Sequence, residues 1–219
     1  MNGVAHQRSV LVAGATGLVG RELLRALLAD DSVADVVAVG RRAPAEAHAR
    51  LHFIHADFPG MPALPHVDEC YIALGTTIKV AGSQEAFRAV DFDAVVNVAR
   101  AAKGAGAKKL GVVSAMGANA KSNVFYSRVK GEMENALEAL GFDTLVIARP
   151  SMLAGDRAQL GQPVRGGEEL ALKVTRAVGW LIPRNYRSID AGSVARALLR
   201  AVPASQGKRV MLSGELSKY

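Results

Sequence analysis

From Ser9 to Arg149, short β-branched apolar runs alternate with longer segments in which apolar residues return every three or four positions. Continuous apolar runs of strand length fit strands buried on both faces, and the intervening periodicity fits crossover helices, so the pattern predicts βαβ units and a parallel sheet. Strands are predicted at 9–14, 35–39, 51–55, 69–74, 109–114 and 143–148, with helices near 18–29, 84–89, 91–104 and 125–140. Leu23, Leu24, Leu27 and Leu28 give the first helix an apolar stripe that Asp30-Asp31-Ser32 ends, and Gly141 supplies a C-terminal glycine for the helix from 125.

Beyond Pro150 the alternation loosens. The stretch from Gly155 to Gly167 reads equally as a lid over the carboxyl edge of the sheet and as a plain surface loop, and Glu168 to Trp180 is amphipathic. Trp180 and Tyr186 read as packing residues over this segment. Asp190 or Ser193 caps a helix running through Val202, and Val210 to Ser213 makes a last short strand. The expected architecture is an α/β, doubly wound parallel sheet with helices on both faces and a small C-terminal extension. A single domain over 1–219 is expected, with 150–219 forming the substrate side.

Composition narrows the classes. Half of the 219 residues are hydrophobic and 21% are charged, which is ordinary globular material. The longest apolar runs are far short of the ~20 residues of a membrane span, and Met1 to Arg8 is polar where a signal peptide would be apolar. These features, with a lone Cys70 in an apolar strand, lead us to expect a cytoplasmic protein with no membrane partner. The net charge of +7 favours phosphate, on nucleic acid or on a cofactor. Because no basic run is interleaved with aromatics, nucleic acid is disfavoured.

The first strand runs directly into Gly14-Ala15-Thr16-Gly17-Leu18-Val19-Gly20 and then a helix. Glycines here let the backbone approach a pyrophosphate, and the helix start offers free N–H groups and a positive dipole end. No Lys-Ser/Thr continuation follows, which argues against a P-loop. The second strand ends in Gly40-Arg41-Arg42, where an NAD-selective site would carry an acidic residue for the ribose 2′-hydroxyl. Two guanidiniums there suit a 2′-phosphate, so the cofactor expected is NADP(H). Asp57, after the third strand, reads either as a contact to the adenine amino group or as a turn former.

Tyr126 and Lys130 lie four residues apart on a predicted helix and therefore share a face. A tyrosine hydroxyl ionises near pH ~10 in water, and an ammonium one turn away favours its charged form, as acid/base work near neutrality requires. The preceding strand ends at Ser114, within reach of the same edge.

These residues together give the chain a resemblance. It resembles the atypical short-chain dehydrogenase/reductases, in the branch typified by the Tat-interacting protein. The likeness rests on Gly14 to Gly20, Gly40-Arg41-Arg42, Ala73-Leu74-Gly75-Thr76-Thr77, Val112-Val113-Ser114, Tyr126 to Glu132 and Arg149-Pro150. It implies a Rossmann-type sheet carrying NADP(H) across its carboxyl edge. Thr16, Gly17, Leu18 and Val19 would line the pyrophosphate, Arg41 and Arg42 the 2′-phosphate, Leu74 and Gly75 the adenosine side, and Leu153 the nicotinamide end. Tyr126 would exchange a proton with a substrate oxygen, Lys130 would hold the ribose, and Ser114 would hydrogen-bond the substrate. Ala115 stands where relatives often carry a second serine. Asn97 and Asp91 are both available as counterpart of the family's helix asparagine.

The substrate implied is a small carbonyl or alcohol of unspecified identity. The resemblance also admits a redox-sensing protein that uses NADP(H) to regulate a protein partner, and a homodimer face on the helices at 91–104 and 125–140. No metal is expected, because His52 and His55 point to opposite faces of a strand and Asp57 brings no further ligand cluster.

Overall fold

The computed structural model describes residues 7–154, 185 and 188–219. Among the described residues nine strands occur in the order β1 (Arg8–Ala13), β2 (Val33–Gly40), β3 (Leu51–His55), β4 (Glu69–Ile72), β5 (Lys109–Val113), β6 (Thr144–Arg149), β7 (Leu153–Ala154), β8 (Ile189–Asp190) and β9 (Gly207–Leu212). Seven of them form one parallel sheet in the order β3-β2-β1-β4-β5-β6-β9, and β7 pairs separately with β8. The order runs outward in both directions from β1 and β4, which makes their carboxyl ends the topological switch point of a Rossmann-type sheet.

Among the described residues the helices are α1 (Leu18–Leu28), α2 (Ile78–Ala81), α3 (Gln84–Arg88), α4 (Val95–Gly104), α5 (Phe125–Ala139), α6 (Ala191–Ala204) and α7 (Ser213–Leu216). A π-helical segment, Ala89–Ala94, joins α3 to α4. Alternation along β1 divides the core. Val10 and Val12 face Leu23, Leu24 and Leu27 of α1 and Val194 and Leu198 of α6. Leu11 and Ala13 face Val95, Val98 and Ala102 of α4 and Met133 and Leu137 of α5. Both faces of the sheet are therefore covered, as an all-parallel sheet requires.

The differences from the predicted elements have local causes. β2 begins at Val33 and β4 ends at Ile72, because parallel pairing with β1 sets both limits. Helical structure continues from α3 into α4 through the π-helical turn, so the two helices expected at 84–89 and 91–104 are joined. Of the two candidate caps, Asp190 takes the role, its Oδ2 accepting from Ser193 N at 3.1 Å. Ser213 opens α7 instead of closing a strand. The expected lid or loop at 155–167, the amphipathic segment at 168–180 and Tyr186 lie outside the described residues.

Candidate functional site

β1 enters the turn at Gly14 with φ 86°, a backbone conformation open to glycine. A Cβ on Gly14 would stand 2.6 Å from the Ala73 carbonyl oxygen, and one on Gly20 would overlap the Gly14 carbonyl. Gly17 N donates to Gly14 O at 3.0 Å and closes the turn. Gly17 is also the N-cap of α1, which among the described residues has no side-chain cap and no acidic residue in its first turn. The N–H groups there suit an anion, and the cradle a Cβ would fill suits a pyrophosphate.

Two cavities flank this turn. The larger, about 310 Å³, is lined by Gly17, Leu18 and Val19 from the start of α1 together with Gly75, Ser114, Tyr126, Lys130 and Leu153. The smaller, about 80 Å³, is lined by Gly14, Thr16, Arg41, Phe53 and Phe58. Arg42 and Leu74 line both, so the two make one groove along the carboxyl edge. Of the residues expected to act in catalysis or to bind the cofactor, Gly20 and Asp57 line neither. Gly20 is buried within α1 and lets the helix meet the turn. The Asp57 carboxylate is 73% exposed and lies 3.8 Å from His55 Nε2.

Tyr126 stands in the first turn of α5, its ring 5.4 Å from that of Phe87, which also packs 6.0 Å from Phe125. Lys130 is one turn further on and buried, its Nζ 2.6 Å from Asp91 Oδ1. Asp91 is itself buried in the π-helical segment, and its Oδ2 accepts from Thr76 N at 2.8 Å. The ammonium of Lys130 is thus balanced by a carboxylate. Between the two candidates for the helix asparagine, Asp91 reaches the site, while Asn97 Nδ2 donates to the Phe58 carbonyl at 3.1 Å.

Ser114 follows β5 and is buried. Its Oγ donates to Glu134 Oε1 at 2.5 Å. Glu134 also takes Arg149 Nε at 3.0 Å and an Arg149 terminal nitrogen at 2.5 Å, a pairing that raises the guanidinium above its ordinary pKa. A hydroxyl has one proton to give, so in this arrangement Ser114 is left with acceptor capacity toward the cavity.

Glu134, Phe53 and Phe58 were not singled out from the sequence, and Asp91 was named only as one of two counterparts of the family's helix asparagine, without its ion pair to Lys130. Glu134 carried a signal, since it lies four residues after Lys130 on the same helix face. Asp91 carried a weaker one as a helix position with an open role. The two phenylalanines had none. Among the described residues no three His, Cys, Asp or Glu side chains converge on a metal-sized space, and no helix is long and apolar enough to cross a membrane.

The chain matches the family model described as NAD(P)H-binding over residues 14–179. It is 37% identical over 161 residues to Protein fmp52, mitochondrial, of Emericella nidulans, an alignment covering 69% of each chain. It is 36% identical over 175 residues to Protein HTATIP2 of Rattus norvegicus, covering 77% of this chain and 70% of that one. Its fold is similar to that of MoeE5 in complex with UDP-glucose and NAD, with a TM-score of 0.69 at 17% identity, over 95% of this chain and 79% of the other. The fungal relatives are named as mitochondrial proteins, which overturns the expectation of a cytoplasmic location drawn from a polar N-terminus and a single cysteine. Those two features report on signal peptides and disulfides, and neither distinguishes one reducing compartment from another.

Proposed function

The chain belongs to the NAD(P)H-binding family and is a relative of HTATIP2 and the fungal FMP52 proteins, and from that premise we propose that it is an NADP(H)-dependent oxidoreductase acting on a small carbonyl or alcohol. The observation that carries this reading is the shared cavity: the uncapped start of α1 at Gly17 to Val19 and the Tyr126–Lys130 pair line one space. When bound, the cofactor supplies or accepts hydride at its nicotinamide ring. The first turn of α1 holds the pyrophosphate, and Arg41 and Arg42 offer bidentate donors to a 2′-phosphate. Tyr126 exchanges the proton at the substrate oxygen, and Lys130, kept in place by Asp91, directs its remaining donors to the ribose.

The test begins with titration of NADPH, NADH and NADP+ into the wild type and into Arg41→Ala/Arg42→Ala. Equal wild-type affinity for NADPH and NADH contradicts the 2′-phosphate assignment. A panel of aldehydes, ketones and quinones then follows NADPH oxidation in the wild type and in Tyr126→Phe; no turnover with any of them rejects the oxidoreductase reading.

A second reading is a catalytically weak NADP(H) sensor that regulates a protein partner. It is favoured by the Ser114 proton being committed to Glu134, together with Ala115 beside it. Its mark is partner binding that changes with the nucleotide, without turnover.

A further inference from the structure

Among the described residues Phe58 alone, glycines apart, has a positive φ, 72°. A bulky side chain rarely takes that conformation and persists in it where the surroundings hold it. The segment is pinned on both sides. Ala56 N donates to Gly40 O at 3.0 Å, and Asn97 Nδ2, from α4, donates to the Phe58 carbonyl at 3.1 Å. Arg100 donates to Asn97 Oδ1 at 3.3 Å, which fixes which end of the amide faces Phe58. Held this way, Phe58 joins Phe53 and Leu74 on the apolar wall of the smaller cavity, beside Gly14 and Arg41. Apolar and aromatic walls beside phosphate donors suit a flat heteroaromatic ring with a phosphorylated sugar.

We propose that Asn97 is a positioning residue for the adenine half of the nucleotide site, acting through Phe58 and touching no part of the nucleotide. The proposal rests on the NADP(H) reading above. It gives two neighbours along the chain different parts: Asp57 is exposed and outside both cavities, and Phe58 shapes one of them through its backbone conformation.

The experiment measures dissociation constants by calorimetry for NADPH, for 2′,5′-ADP as the adenine half, and for reduced nicotinamide mononucleotide as the other half. The proteins are wild type, Asn97→Ala, Phe58→Gly and the double variant. Alanine is a strong helix former, so Asn97→Ala keeps α4, and binding of the mononucleotide reports that the variant is folded. Asn97→Ala is expected to weaken 2′,5′-ADP and NADPH by about tenfold, the scale of one strained residue released, and to leave the mononucleotide unchanged. In the Phe58→Gly background the same substitution is expected to change nothing, because glycine takes positive φ without being held. An unchanged affinity for 2′,5′-ADP, an equal loss for both halves, or an equal loss in the glycine background overturns the proposal. A wild type that binds none of the three rejects the cofactor reading itself, and this one with it.

Discussion

Lys130 Nζ and Asp91 Oδ1 stand 2.6 Å apart with both side chains buried, so the cation one turn beyond Tyr126 is held by a carboxylate from the π-helical segment packed against α5. Removing one member of such a pair strands the other away from water. Asp91→Ala is expected to cost about 3–5 kcal/mol, the range for breaking a buried ion pair, read as a lowered urea midpoint. The double change Asp91→Leu/Lys130→Met is expected to recover much of that stability while losing nucleotide affinity. Those two outcomes separate what the pair does for the fold from what Lys130 does for the ribose.

Arg41 and Arg42 are adjacent in sequence but differ in place. Arg41 lines the smaller cavity, whereas Arg42 lines both. Arg41→Ala is expected to weaken NADPH by about tenfold, one charge-assisted contact, and to leave NADH nearly unchanged. Arg42→Ala is expected to weaken both nucleotides. Titration of each single variant with the two nucleotides checks the split.

Gly14 and Gly82 share a positive φ, 86° and 90°, but their surroundings differ. A Cβ at Gly14 meets the Ala73 carbonyl oxygen at 2.6 Å, while one at Gly82 meets open space. Gly82→Ala is expected to cost about 1–2 kcal/mol from the dihedral alone. Gly14→Ala is expected to cost more and to abolish nucleotide binding, since the turn must open to admit the methyl. Thermal unfolding of both, with an NADPH titration, measures the difference.

Ser114 donates its proton to Glu134, so its loss is expected to be mild. Ser114→Ala lowers the rate by less than about tenfold, whereas Tyr126→Phe removes the proton donor and costs about 10²–10⁴-fold. The comparison uses whichever carbonyl the panel identifies. A loss in Ser114→Ala as large as that in Tyr126→Phe would show that the serine turns toward substrate during the reaction.

Cys70 is fully buried in β4, and burial pushes its thiol pKa upward. Since the thiolate is the reactive form, Cys70 is expected to resist iodoacetamide in the native protein at pH 8 and to react on unfolding in urea. Mass spectrometry of the alkylated chain gives the answer. Rapid native-state labelling would mean that β4 opens readily.

What the amino-acid order reveals here is what local chemistry decides. The turn from Gly14 to Gly20 is readable because a strand, three glycines and a helix must meet in that order for the backbone to turn. The Arg41-Arg42 pair is readable because it ends a strand at the same edge. Tyr126, Lys130 and even Glu134 share a helix face that spacing alone defines. Phe58 was not readable, since its positive φ depends on Asn97, which is distant along the chain and joined to it by one hydrogen bond. Asp91 was only half readable: a charged residue on a helix is ordinarily solvated, and its burial follows from Lys130 and the Thr76 amide arriving from other elements. The small strands β7 and β8 escaped for a similar reason, being two residues each and defined by one another.

The π-helical turn at Ala89–Ala94 sets the angular phase between two helices. α4 turns Val95, Val98 and Ala102 toward the sheet, while α3 turns Phe87 toward Tyr126 and Phe125. A regular helix advances by about 100° per residue, and a π turn absorbs one residue more than an α turn. Shortening the segment by a single residue would leave α4 seated and swing Phe87 away from the tyrosine ring. The support of Tyr126 is therefore written partly in the length of a helix, and a deletion there would disarm the site while leaving each of its side chains in the sequence.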